Sequence, residues 1–324
     1  MKASQLEILP KIEKARNEKR ARFLVLILLT ITVIPSFSFW LVAKLREKKL
    51  TPLKLLIEIK LPQFDLGKRK EGDLSVKLNR WATEAVTPLP GKWAARVELL
   101  TDDFTWGVND QDQFLAASLI KLPVVAAFYS QVEQGNLNLE ETYILKEEDK
   151  VAGAGSLQYR QAGTELTLGQ LASLALSQSD NTAFKILRQK IGDQGINRLM
   201  IQWGMTKTNL EKNLTSAADI AIFFRRLYQG EIVNQRFKQR IFNDLTKTIF
   251  EDRIPTGVPE GIKVAHKVGT EVGVISDAGI IFTPNNPFIL VILSQETDEI
   301  VAKEKFPQLV NDIYWLIVEG AGLS

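Results

Sequence analysis

A serine and a lysine three residues apart, Ser118 and Lys121, could together perform nucleophilic chemistry. Residues i and i+3 lie on one face of a helix, so the two side chains meet if a helix begins near Ser118. A serine hydroxyl is a weak nucleophile until a base removes its proton. Lysine can be that base when burial or nearby cations keep part of it neutral. For this pair alone, an ordinary helix start with a chance lysine is the competing interpretation.

Two further polar motifs occur later in the chain, Ser179-Asp180-Asn181 and Lys267-Val268-Gly269-Thr270. Taken singly, the first is also compatible with a plain turn that caps the next helix. The second is compatible with a lysine on the solvated face of a strand. About sixty and then about ninety residues separate the three motifs, and their occurrence in this order favours one shared catalytic site.

The ordered set S-x-x-K, S-D-N and K-x-G resembles the signature of the serine β-lactamases and penicillin-binding proteins, most closely the class A β-lactamase-like family. The neighbouring stretch Gly153-Ala154-Gly155-Ser156-Leu157 and Ala183 are also similar to that family. The resemblance covers residues 74–324. It implies an α+β fold of the β-lactamase/transpeptidase type and an acyl-enzyme formed with β-lactams or D-Ala-D-Ala-like peptides.

The resemblance also implies catalytic roles for three residues. Ser118 would be the nucleophile and Lys121 its base, while Ser179 would pass a proton to the leaving nitrogen. In the same family the aspartate of the second motif, here Asp180, braces its loop.

Four more residues would bind the substrate if the resemblance holds. Asn181 would hold Lys121 and the substrate amide, and Lys267 would hold the substrate carboxylate by charge. Gly269 and Thr270 complete this set, with the backbone N–H groups of Thr270 and Ser118 forming the oxyanion hole.

Three departures from the family pattern concern the substrate-binding strands and the hydrolysis of the acyl-enzyme. The loop at 203–214 lacks the glutamate that activates the deacylating water in class A enzymes, and its carboxylate, Glu211, comes too late to inherit that role. Val268 replaces a hydroxyl residue, and Asp277 lies on the strand that often supplies an arginine. We therefore favour a β-lactamase-like hydrolase, with a D,D-peptidase of slow β-lactam turnover or a non-catalytic wall-binding module as alternatives.

Residue counts limit other chemistries. The chain has one histidine, His266, and no cysteine, so zinc sites built from these residues are excluded. There is no G-x-S-x-G elbow for a serine–histidine hydrolase, and no Walker or Rossmann glycine pattern. We expect no metal, no cofactor and no nucleic-acid partner, and we expect His266 to be a strand residue or local hydrogen-bond donor.

The elements that must position these motifs can be predicted from hydrophobic periodicity. A helix is expected over 118–134 and another after a capping box at Thr167 and Gln170. Strands and a closing helix are expected at the following positions: Ala94–Thr101, Phe104–Asn109, Val264–Thr270, Val272–Ile275, Gly279–Phe282, Phe288–Leu293 and the helix Lys303–Glu319. Strands from both ends of this region predict one antiparallel sheet flanked by helices, with a helical subdomain.

The first 73 residues indicate a membrane anchor. The 21 uncharged residues 23–43 would span roughly 31 Å as a helix, enough for a hydrocarbon core of about 30 Å. Residues 1–22 are basic, which favours a cytoplasmic N-terminus, and 44–73 form a linker to the catalytic domain at 74–324. We thus expect a single-pass membrane protein with its catalytic domain outside the cytoplasm. A cleaved signal peptide is the alternative.

Overall fold

Helices and strands of the computed structural model are described for residues 71–320. The helices are α1 (Glu71–Trp81), α2 (Lys121–Glu133), α3 (Leu168–Ser177), α4 (Asn181–Ile191), α5 (Asp193–Gln202), α6 (Ala217–Gln229), α7 (Gln235–Leu245) and α8 (Glu299–Gly320). The strands are β1 (Lys92–Leu99), β2 (Thr105–Val108), β3 (Phe114–Leu115), β4 (Thr142–Ile144), β5 (Glu165–Thr167), β6 (Leu214–Thr215), β7 (Lys263–Glu271), β8 (Val274–Phe282) and β9 (Phe288–Gln295). Short 3-10 helices at Ala117–Ile120 and Ile254–Gly257 precede α2 and β7.

Five strands form one antiparallel sheet in the order β2-β1-β9-β8-β7. The first two strands come from the start of the described region and the last three from its end, which confirms the predicted sheet. Strand β7, with the third motif, is at one edge and pairs with β8 from Lys263–Phe282 to Glu271–Val274. The 3-10 helix before α2 lies against β7. This contact brings the first and third motifs together.

Helices cover both faces of the sheet. On one face, the terminal helices α1 and α8 pack through side chains such as Leu78, Phe306 and Ile313, all fully buried. On the other face lie α6 and α7, whose Phe223 and Phe237 are also buried. Since β8 and β9 are covered on both sides, their residues are buried almost throughout and do not alternate.

Helix α2 is the centre of the helical subdomain. Its residues from Lys121 to Ser130 are all buried, and a helix that is apolar all round is stable only inside a core. Helices α3, α4 and α5 pack around it. The position of Lys121 at the first residue of this central helix is therefore held by packing on several sides.

The element predictions need three corrections. The helix predicted from Ser118 begins as an α-helix at Lys121, after one 3-10 turn. The two predicted strands at 272–282 form one continuous strand, because the polar residues Ser276 and Asp277 find hydrogen-bond partners inside the sheet. The closing helix begins at Glu299 and continues through Pro307.

The predicted anchor Phe23–Ala43, the basic segment 1–22 and most of the linker lie outside the described residues. Within 71–320, none of the helices has the length and apolar character that a membrane crossing requires.

Candidate active site

The first motif combines a strained backbone with a tight turn. Ser118 lies in the 3-10 helix Ala117–Ile120, directly after Ala117, which has a left-handed φ of +46°. Such a backbone is rare outside glycine and is kept only where surrounding structure imposes it. A 3-10 helix has three residues per turn, so Ser118 and Lys121 still share a face. The Nζ of Lys121 is 3.0 Å from the Oγ of Ser118.

Lys121 Nζ is surrounded by oxygen atoms from two motifs. Besides Ser118 Oγ, it lies 2.5 Å from the carbonyl oxygen and 3.1 Å from the Oγ of Ser179, and it donates to Asn181 Oδ1 at 2.7 Å. The side chain is almost fully buried.

Burial lowers the pKa of Lys121 to about 8, against the opposing effects of the carboxylates of Asp180 and Glu271. A fraction of the amine is therefore neutral near pH 7 and can accept a proton.

The second motif is held by its aspartate. Asp180 is the N-cap of α4, and its carboxylate accepts from the backbone N–H groups of Ala183 and Leu157, both at 2.8 Å. Ser179 is in a left-handed conformation with φ of +55°. At Gly155 a Cβ would collide with the Asp180 carboxylate, so only glycine fits there. This packing ties the loop at 151–157 to the motif and fixes Ser179 and Asn181 beside Lys121.

The third motif approaches the first through a glycine. A Cβ on Gly269 would lie 3.0 Å from the carbonyl oxygen of Ala116 and 3.2 Å from Leu119. Glycine thus lets β7 come close to the 3-10 helix that holds Ser118. Thr270 is the next residue, and it is exposed. Oxyanion stabilisation by the N–H groups of Ser118 and Thr270 stays a prediction.

Lys267 lies deeper than its proposed role suggests. Its side chain is fully buried, 5.7 Å from the ring of Phe250, and its Nζ has no hydrogen-bond partner among the described residues. Burial, followed by the charge of Lys121, holds the pKa of Lys267 well below its ordinary value, while Asp277 opposes that shift. A buried cation without a partner is costly, so this amine is suited to gain an anionic ligand.

A cavity of about 370 Å³ opens beside the motifs. Ser118, Lys121 and Asn181 line it, whereas Ser179, Lys267 and Gly269 are buried and are not among its lining residues. The remaining lining residues are Ala117, Ile120, Val151, Phe184, Lys185, Arg188, Leu210, Glu211, Asn213 and Glu271.

The loop at 203–214 forms one wall of this cavity. Leu210 is buried and lines it, while Glu211 is exposed. Asp219 of α6 holds the loop by accepting from the N–H of Lys207 at 2.8 Å and from the hydroxyl of Thr208 at 2.7 Å. The structure thus places an apolar side chain, followed by a carboxylate turned to solvent, where this loop borders the cavity.

Sequence reasoning missed Arg253. Its guanidinium is buried and donates to the carbonyl oxygens of Gly269 and Ser276 and, at 2.5 Å, to the hydroxyl of Thr270. The family pattern often places an arginine on the strand that here contains Asp277, but this one arrives from the segment before β7. That segment has no periodic pattern, so the sequence carried no signal for it beyond an arginine near the third motif.

His266 behaves as predicted. It is a buried residue of β7, and its Nδ1 lies 2.8 Å from the carboxylate of Asp277. This local hydrogen bond is the role expected of it, and not that of a catalytic base in a serine–histidine pair. A carboxylate can only accept here, so Nδ1 is the protonated nitrogen.

Comparison with known proteins agrees with this geometry. The model of the beta-lactamase enzyme family matches residues 74–315. Beta-lactamase VEB-1 of Pseudomonas aeruginosa is 24% identical over 241 residues, which cover 65% of this chain and 80% of that protein. The beta-lactamase of Bacillus licheniformis is 29% identical over 208 residues, covering 59% of this chain and 67% of that protein.

Solved structures show the same fold. PBP-A superimposes with a TM-score of 0.69 at 24% identity, covering 76% of this chain and 96% of that one. A variant of PBP-A, solved as an acyl-enzyme complex with penicillin G, gives 0.70 at 25% identity, covering 76% and 97%. The beta-lactamase of Sphaerobacter thermophilus gives 0.69 at 28% identity, covering 77% and 98%.

The state of Lys121 predicts how the reactivity of Ser118 depends on pH. With an uncharged activated ester as acyl donor, we expect the acylation rate to rise about tenfold per pH unit below about pH 8 and then to level off, because only the neutral amine accepts a proton. The Glu271→Gln variant should move the midpoint to lower pH, since the charge of Glu271 raises the pKa of Lys121. Stopped-flow rates from pH 6 to 9 would measure both, and a flat profile would exclude Lys121 as the base.

Proposed function

We propose that this chain, which belongs to the beta-lactamase enzyme family, attacks the amide carbonyl of a β-lactam or of a D-Ala-D-Ala-like peptide with Ser118. The observation that supports this most directly is the position of Lys121. Its Nζ is within 3.0 Å of Ser118 Oγ and 3.1 Å of Ser179 Oγ, so one amine contacts both the nucleophile and the proposed proton donor.

The acylation step can be derived from these contacts. Neutral Lys121 takes the proton of Ser118 as Oγ bonds to the carbonyl carbon, and the negative charge develops on the carbonyl oxygen. The C–N bond then breaks, and the nitrogen leaves with the proton of Ser179. Lys121, now protonated, returns a proton to Ser179. A peptide gives the ester of Ser118 and a separate amine, whereas a β-lactam gives a ring-opened ester of Ser118 that still carries the amine.

Asn181 and Lys267 would orient the substrate in this proposal. Asn181 lines the cavity with its amide, which already receives a hydrogen bond from Lys121 and donates to the carbonyl oxygen of Ala152 at 3.0 Å. Lys267 would hold a substrate carboxylate. Its buried Nζ has no hydrogen-bond partner among the described residues, which supports that role.

Formation of the ester is the central test. Incubating the fragment 74–324 with benzylpenicillin should give one covalent adduct on Ser118, and Ser118→Ala should abolish it. Among the described residues, Ser118 has the one hydroxyl group that both lines the cavity and contacts the buried amine of Lys121. Lys121→Ala should slow the reaction by several orders of magnitude at neutral pH. Intact-protein mass spectrometry measures both. An adduct that persists in Ser118→Ala would show that the nucleophile has been misassigned.

Hydrolysis of the ester is the step on which a β-lactamase and a D,D-peptidase differ. Among the described residues that line the cavity, the acidic ones are Glu211 and Glu271, and both are exposed. An exposed carboxylate hydrogen-bonds to bulk water and is poorly placed to activate a single one. This favours a D,D-peptidase with slow penicillin turnover as the second candidate function.

The lifetime of the penicilloyl-enzyme tests this choice. We expect a burst of one equivalent and slow turnover after it, since a positioned general base typically contributes about 10²–10⁴-fold. Glu211→Gln and the matched control Glu271→Gln should both leave the slow phase within about twofold of the wild type. Fast multiple turnover that only Glu211→Gln abolishes would instead identify Glu211 as the deacylation base and the protein as an efficient β-lactamase.

We also propose that residues 23–43 anchor the protein in the cell membrane with the catalytic domain outside the cytoplasm, where a peptidoglycan stem peptide would be reached. The proposal rests on the apolar run and the basic segment before it. Protease added to intact cells should remove the catalytic domain, and deletion of residues 1–67 should release a soluble, folded protein. Protection until the membrane is disrupted would reverse the orientation.

A further inference from the structure

A buried carboxylate, Asp277, lies beneath the third motif. It is fully buried in β8, paired in register with Val268 of β7. Its oxygens accept from His266 Nδ1 at 2.8 and 2.9 Å, from the N–H of Ile254 at 3.0 Å and from the N–H of Ala278 at 2.9 Å. A buried carboxyl group is costly unless it is hydrogen-bonded, and these donors meet that requirement.

One of these donors connects Asp277 to Arg253. Ile254 opens the 3-10 helix before β7, and Arg253 is the residue just before it. By holding the N–H of Ile254, the carboxylate fixes the backbone from which the Arg253 side chain extends. The guanidinium then reaches the carbonyl oxygen of Gly269 and the hydroxyl of Thr270, at the strand end that borders Ser118.

The charges around Asp277 are unbalanced. Lys267 and Arg253 are two buried basic side chains, at 0% and 3% exposure, and Asp277 is the buried carboxyl group that acts on both. Burial lowers the pKa of each cation, and Asp277 raises both pKa values. Lys267 Nζ and Arg253 Nε have no hydrogen-bond partner in the described structure, so each has a donor that an anion could accept from.

His266 determines how the carboxylate is oriented. Its imidazole is buried next to Gly279, where a Cβ would lie 2.6 Å from that of His266. The start of the His266 side chain therefore lies against the backbone of β8, and its ring donates Nδ1–H to Asp277. The Nε2 atom is buried without a partner, so Nδ1 provides the one hydrogen bond of this side chain in the described structure.

We propose that Asp277, oriented by His266, is a positioning residue that holds Arg253 and compensates one of two buried cations, so that Arg253 and Lys267 together select acyl donors that carry a carboxylate. This inference rests on the proposed acylation of Ser118. Asp277 itself touches no substrate. It acts through the two cations, and through the turn that begins at Ile254.

Benzylpenicillin and its methyl ester, which lacks the carboxylate, are the matched probes. With full-length protein in detergent, the wild type should be acylated faster by the acid. Asp277→Asn should slow acylation by the acid about 10- to 100-fold, the range expected for losing a hydrogen-bonded charge, and leave the methyl ester within about twofold. Asp252→Asn, at the exposed carboxylate beside Arg253, is the control and should change neither rate appreciably.

A second pair of variants covers failure of Asp277→Asn to fold. His266→Asn keeps an N–H donor near the position of Nδ1 and should preserve the preference for the acid, whereas His266→Leu removes the donor and should reduce it. If acylation by the acid and by the ester slows equally in Asp277→Asn, the role of Asp277 is merely structural and the inference is overturned. An unchanged preference for the acid would overturn it as well. If Asp277→Asn does not fold, the same two outcomes are read from His266→Leu. A wild type acylated by neither probe would overturn the proposed function and this inference with it.

Discussion

Burial of the Lys121 amine is the constraint on which the rest of the site depends. An exposed lysine would be fully protonated at neutral pH, and its ammonium would be useless as a base. Burial brings its pKa to about 8, yet the amine must still contact Ser118, Ser179 and Asn181. The structure meets both conditions by placing Lys121 at the first residue of a helix buried on all sides. The same packing therefore excludes water from the Lys121 amine and places the oxygen atoms of its hydrogen-bond partners around it.

Close backbone approach is the means by which three distant motifs are brought together. Gly269 lets β7 approach the 3-10 helix of Ser118, and Gly155 lets the loop at 151–157 approach Asp180. The left-handed backbones of Ala117 and Ser179 are the strained counterparts of these contacts. Strain of this kind survives only where neighbouring elements over-determine the geometry, and it is typical of sites prepared for chemistry before the substrate arrives.

Electrostatics divide the site into two regions. Around Lys121, burial and partial neutrality favour proton transfer. Around Lys267 and Arg253, two buried basic groups face the single buried carboxyl group of Asp277, and this arrangement favours an anion. The regions influence one another, because the charge of Lys121 lowers the pKa of Lys267. Binding of a carboxylate beside Lys267 would favour the charged form of this lysine. Recognition of the substrate would therefore change the protonation state of the site.

The sequence alone was sufficient to identify the three motifs, the antiparallel sheet and the central helix. These depend on local spacing, since i and i+3 share a face and apolar runs mark buried elements. The 3-10 start of that helix and the continuity of β8 through Asp277 were predicted wrongly, because both depend on partners far away in the chain.

Only the tertiary structure decided how deep each charge lies. Burial of Lys267, exposure of Glu211 and the arrival of Arg253 from the segment before β7 result from how the elements pack. The sequence did show that an aspartate stands at position 277, on a strand that often supplies an arginine in the family it resembles. It did not show that this aspartate supports Arg253 from another segment, because a charge's effect depends on distance and solvent exclusion, and neither is a property of local sequence.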